Sequence, residues 1–103
     1  MDQHLCKLTL IYPPVSEDSL VEYMLDQDPP LSGFTTMKAE GHGLGFDRAS
    51  AREKVHGRTD RRLFIAIISV ERSRQLLESL KADMPIAGLM YWTEPVLSAG
   101  RLL

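Results

Sequence analysis

The chain reads as an α+β sandwich of βαββαβ order, and three observations predict it. Four segments carry strand character, two segments of helical period stand at matching places in the two halves, and a long aperiodic stretch, residues 43–59, divides them. A stretch of that length inside so small a chain predicts a functional loop.

The first strand is Leu5 to Tyr12, where Cys6, Leu8, Leu10 and Tyr12 share one face and Leu5, Lys7, Thr9 and Ile11 the other; Pro13-Pro14 stops it. Ser16 is placed to cap a helix beginning at Glu17. Its first turn is acidic, which suits the helix dipole, and Leu20, Val21, Met24 and Leu25 form an apolar stripe. Asp28-Pro29-Pro30 ends that helix. Residues 33–41 give the second strand, with Phe34, Thr36 and Lys38 on one side.

Residues 62–70 are dominated by Leu63, Phe64, Ile65, Ile67 and Ile68, which predicts a central strand buried on both faces. Residues 71–83 return to helical period, with Leu76, Leu77, Leu80 and Met84 in the stripe and Pro85 closing it. Residues 89–93 form the fourth strand, which holds Tyr91 and Trp92. After Pro95 an apolar tail runs to Gly100-Arg101-Leu102-Leu103, a composition that predicts docking against another surface.

This element order is the split βαβ, ferredoxin-like pattern, with residues 1–103 as one domain. Two helices cover one sheet face and leave the other bare. Apolar residues on both faces of strands one and three predict that a further subunit meets the bare face.

The balance of 12 Lys and Arg against 14 Asp and Glu, for a net charge of -2, argues against nucleic acid as a partner. The single cysteine, Cys6, rules out an intrachain disulfide framework. No apolar run approaches the roughly 20 residues of a membrane span, and the opening Met-Asp-Gln-His lacks the layout of a secretion signal. A cytoplasmic protein without membrane insertion is the expectation.

Glycine, imidazole and guanidinium groups mark both roots of the long loop, at Gly41-His42-Gly43 and His56-Gly57-Arg58. Glu40, Gly41, His42, Gly43, His56, Gly57, Arg58 and Arg62 are the candidate ligand-binding residues, because paired arginines hold phosphate or carboxylate in a two-pronged grip. The plainer account is a glycine hinge beside a solvated basic patch, with Asp47, Glu53 and Asp60 as partners. Ser50-Ala51-Arg52-Glu53 fits a capping box and predicts a helical turn inside the loop.

His42 and His56 are the candidate metal ligands, joined by Glu40 and completed by neighbouring subunits. His4 and Cys6 fall on one strand face at a spacing that offers two soft ligands, against the plainer reading of Cys6 as a small buried hydrophobe. No nucleophile has a base and an orienting group at motif spacing, so no enzymatic activity is expected. Glu94 reads as an exposed carboxylate before a proline turn, and Phe34, Tyr91 and Trp92 as core or interface aromatics.

As a set, Leu10-Ile11-Tyr12-Pro13-Pro14, Ser32-Gly33-Phe34-Thr35-Thr36, Gly41-His42-Gly43, Val55-His56-Gly57-Arg58 and Tyr91-Trp92-Thr93-Glu94-Pro95-Val96 resemble DUF3240, a bacterial family within the PII-like superfamily. That superfamily also includes the CutA-like proteins. The resemblance spans nearly the whole chain. It implies a trimer with sheets facing inward, a small-molecule or metal ligand in the clefts between subunits, and signalling through the loop. Family members are encoded beside heavy-metal efflux systems, which implies a membrane transporter or efflux component as partner. The alternatives are a CutA-like copper or zinc tolerance protein and a structural interaction module. The resemblance stops short of the PII nucleotide motif, because residues 81–88 read Lys-Ala-Asp-Met-Pro-Ile-Ala-Gly where PII proteins carry a glycine- and lysine-rich phosphate run. The loop also lacks the tyrosine that PII proteins present for uridylylation. The cofactor is therefore left unknown.

Overall fold

The computed structural model describes residues 4–43 and 59–103. Strand β1 (Leu5–Tyr12) leads through a 3-10 turn (Pro14–Ser16) into helix α1 (Glu17–Leu25). Strands β2 (Thr35–Gly41) and β3 (Thr59–Ser69) follow, then helix α2 (Val70–Asp83) and strand β4 (Met90–Val96). The strands form one sheet in the order β2-β3-β1-β4, antiparallel throughout. This is the predicted ferredoxin-like topology.

Alternation along the strands decides what each face does. Cys6, Leu8, Leu10 and Tyr12 of β1 and Phe64, Ala66 and Ile68 of β3 turn toward the helices. There they meet Leu20 and Met24 of α1 and Leu76 and Leu80 of α2, all buried. Phe34 lies against Phe64 with ring centroids 4.9 Å apart. Cys6 is a free, buried thiol in this core. Of the predicted α1 stripe, Leu20 and Met24 carry the packing, while Leu25 ends the helix 67% exposed.

β3 differs from the expected strand buried on both sides. Leu63, Ile65 and Ile67, which point away from the helices, are only partly buried, because no layer of the described chain covers them. β3 also starts at Thr59, three residues before the expected 62. Its early residues pair with the end of β2, Gly41 opposite Thr59 and Glu40 opposite Asp60, so backbone pairing extends the strand where apolar pattern fails.

β2 begins at Thr35 rather than 33, since Gly33 adopts φ 143, outside extended-strand geometry. β4 continues through Pro95 to Val96, beyond the expected 93. Its place at the sheet edge explains this, because an edge strand tolerates a missing N–H donor.

The helix starts separate a real cap from an apparent one. Ser69 is extended, and its hydroxyl accepts the Arg72 N–H at 3.0 Å. Ser16 precedes α1 but sits in helical geometry at the end of the 3-10 turn and makes no side-chain cap. The Tyr23 hydroxyl of α1 donates to Asp83 Oδ2 of α2 at 3.0 Å, and Arg72 Nη2 of α2 donates to the carbonyl of Pro29, in the segment that follows α1, at 2.6 Å.

Candidate functional site

The end of the sheet that carries β2 into β3 is built from alternating charges. Register places Lys38 opposite Arg62 and Glu40 opposite Asp60, all on the helix side. Like charges therefore stand directly across from each other, which costs stability. The diagonals reverse the sign, with Lys38 near Asp60 and Glu40 near Arg62. Lys38, Ala39, Glu40, Asp60 and Arg62 line a cleft of about 420 Å³. Two cations and two carboxylates on one small wall suit a polar ligand of mixed charge better than an apolar one.

Arg62 is held from behind. Its Nε lies 3.4 Å from Glu17 Oε2, and its Nη1 donates to the Arg61 carbonyl at 3.3 Å. The other Glu17 oxygen accepts the Tyr12 hydroxyl at 2.9 Å. Tyr12 is fully buried and stands across the ladder from Arg62. Burial, then the hydrogen bond to Glu17, pushes the Tyr12 phenol well above its ordinary value. Three elements, β1, α1 and β3, are thus joined by one phenol, one carboxylate and one guanidinium at the base of the cleft. Arg62 stood out in the sequence, whereas Tyr12 and Glu17 did not. The available signal was a tyrosine closing a strand five residues ahead of an acidic first helical turn.

The remaining predicted residues divide cleanly. Gly41 is buried at the end of β2, and exposed His42 follows it. Gly43 adopts φ 99, a left-handed conformation that favours glycine, as the chain leaves the strand. His56, Gly57 and Arg58 lie outside the described residues, as does the predicted capping box of residues 50–53. Among the described residues no three His, Cys, Asp or Glu side chains gather as a metal would need. His4 precedes β1 and is exposed, whereas Cys6 is buried against the helices, so the two do not share an accessible face.

The helix-free face of the sheet is the second notable surface. Register sets Met37, Leu63, Ile11 and Met90 in one row across all four strands. Trp92 stands beside that row, 43% exposed. Its indole donates to Glu94 Oε2 at 3.0 Å, and Lys7 Nζ reaches the same oxygen at 3.7 Å. Glu94 is therefore a strand residue partnered on both sides, where the sequence suggested a carboxylate before a turn.

An antiparallel sheet of order β2-β3-β1-β4 with two helices packed on one face defines a ferredoxin-like domain. The chain belongs to the DUF3240 family, proteins of unknown function, whose model matches residues 1–103. A solved DUF3240 protein from Shewanella baltica superposes with a TM-score of 0.76 at 22% identity, covering 100% of both chains. A putative PII-like signalling protein from Thermus thermophilus gives 0.62 at 22% identity, over 93% of this chain and 91% of that one. The ATP complex of GlnK from B. subtilis gives 0.58 at 13% identity, over 91% and 85%. No curated protein matches the chain. No helix among the described residues is long and apolar enough to cross a membrane.

Proposed function

We propose that this protein is a PII-like regulator that associates through its helix-free sheet face into a closed trimer. It binds a small mixed-charge ligand at the β2–β3 end and signals through residues 43–59. The observation that carries this reading is a row of apolar side chains across an uncovered sheet, Met37, Leu63, Ile11 and Met90, with the charged cleft at the end of two of the same strands. An apolar surface of that kind marks an interaction site. A closed assembly buries it, and the cleft then lies beside a neighbouring copy. The GlnK structure, an ATP complex on a related fold, supports a ligand site of this general kind.

The output is a transport or efflux component contacted by the loop, the partner class that the family resemblance implies. No step of this reading requires bond-making chemistry by the protein. Light scattering of the purified protein tests the assembly, with a trimer expected at micromolar concentration. A thermal-shift screen of nucleotides, small carboxylates, phosphate and metal ions tests the ligand, since a compound that binds the native state raises the melting temperature. A monodisperse monomer, or a trimer stabilised by none of these compounds, counts against the reading.

A further inference from the structure

We propose that the charged cleft takes a zwitterion whose carboxylate and ammonium stand about 7 Å apart, an ω-amino acid rather than an α-amino acid. This rests on the reading of that cleft as the ligand site and names the charge pattern of the ligand. The basis is register: Lys38 faces Arg62 in one row, and Glu40 faces Asp60 in the next row on the same side of the sheet. Two residues of strand separate the rows, roughly 7 Å. Each row is a like-charge pair and is unfavourable by itself. A ligand with its negative group at the basic row and its positive group at the acidic row relieves both at once.

The charge of the basic row sets the kind of anion. Glu17 lies against Arg62 Nε and offsets one of the two positive charges, so one is left uncompensated. A carboxylate matches it, whereas a phosphate dianion exceeds it. Donors for that carboxylate are present. Glu17 and the Arg61 carbonyl engage Nε and Nη1 of Arg62 and leave Nη2, and Lys38 makes no ion pair or hydrogen bond among the described residues. The Glu17 contact, with the Tyr12 bond behind it, holds the guanidinium in place before a ligand arrives.

At the acidic row, Glu40 and Asp60 already engage other groups of the chain. An ionised carboxylate accepts at roughly four positions, so an ammonium adds to those contacts without displacing them. An α-amino acid carries both charges on one carbon and reaches a single row. A spacer of about four methylene groups, with bonds of about 1.5 Å, spans both. The cleft, about 420 Å³, has room for such a chain.

Isothermal titration calorimetry of the full-length protein tests this, with δ-aminovalerate as probe and valerate, n-pentylamine, glycine and inorganic phosphate as comparators. The probe is expected to bind at least about tenfold tighter than each comparator, and Lys38→Met and Glu40→Gln are each expected to weaken it by about tenfold or more. Both side chains are exposed, so the circular dichroism spectrum of each variant is expected to match the parent. Equal or tighter binding of any comparator overturns the zwitterion and leaves the cleft a ligand site of simpler charge. Binding of the probe that neither substitution weakens places it elsewhere and also overturns the proposal. Failure of every one of these compounds to bind overturns it as well, and the wider ligand reading falls with it only when the thermal-shift screen is blank too.

Discussion

The Tyr12 hydroxyl donates to Glu17 at 2.9 Å, and this bond crosses from the buried end of β1 to the first turn of α1. Glu17 uses its other oxygen for Arg62, so one carboxylate organises the strand end, the helix start and the base of the charged cleft.

Tyr12→Phe removes the donor while keeping the ring that fills the core. A hydrogen bond to a charged group contributes about 1.5 to 3 kcal/mol. Glu17 keeps Arg62 and some access to solvent, so a loss near the lower figure is expected in denaturant unfolding.

The same bond fixes the sign of the alkaline pH dependence. The folded-state phenol is raised above its ordinary 10.0, so the unfolded chain releases this proton first as pH rises. Stability from Tyr12 is complete below pH 10 and declines above it. Tyr23 is shifted in the same direction, by burial and by Asp83, and adds to the decline. Melting curves taken across the alkaline range fall less steeply for Tyr12→Phe than for the parent.

Two serines at helix starts give opposite outcomes. Ser69→Ala loses a side-chain cap and costs about 1 kcal/mol. Ser16→Ala removes no such bond and stays within about 0.5 kcal/mol. Equal losses at both sites in urea titrations would contradict the cap geometry.

Met37→Lys probes the helix-free sheet face. Met37 is 45% exposed in the single chain, so the substitution leaves the fold intact and places a charge inside the proposed interface. Light scattering is expected to show a shift toward monomer with an unchanged circular dichroism spectrum.

Phe64→Ala strikes the core. The side chain is fully buried and packed on Phe34, and truncating such a residue costs about 3 to 5 kcal/mol. Against a typical total of about 5 to 15 kcal/mol, that loss brings thermal unfolding down markedly.

Much of the architecture was legible because short-range pattern governs it. The alternation of Leu5–Tyr12 and the stripe of Leu76, Leu77 and Leu80 place β1 and α2 without any knowledge of their neighbours. Errors arose where pairing or edge position overrides local preference. Thr59, Asp60 and Arg61 look like loop residues, yet β2 recruits them into β3. Pro95 looks like a terminator, but it lies in an edge strand. The cleft was half legible for the same reason: composition pointed to Glu40 and Arg62, whereas Lys38, Tyr12 and Glu17 join them only through register and helix placement.

The strand order β2-β3-β1-β4 sets a timetable for synthesis. β1 and β2 are not neighbours, so the first half of the chain emerges from the ribosome with two strands that have no pairing with each other in the finished sheet. β3 is the bridge that joins them, and β4 then closes the free side of β1. Arg72 and Pro29, 43 residues apart, and Tyr23 and Asp83, 60 apart, likewise meet only when the second helix is made. The ladder partners of β1 and β2, and the groups bonded to the Tyr23 hydroxyl and the Pro29 carbonyl, therefore all lie in the second half of the sequence, and the finished sheet requires the whole domain.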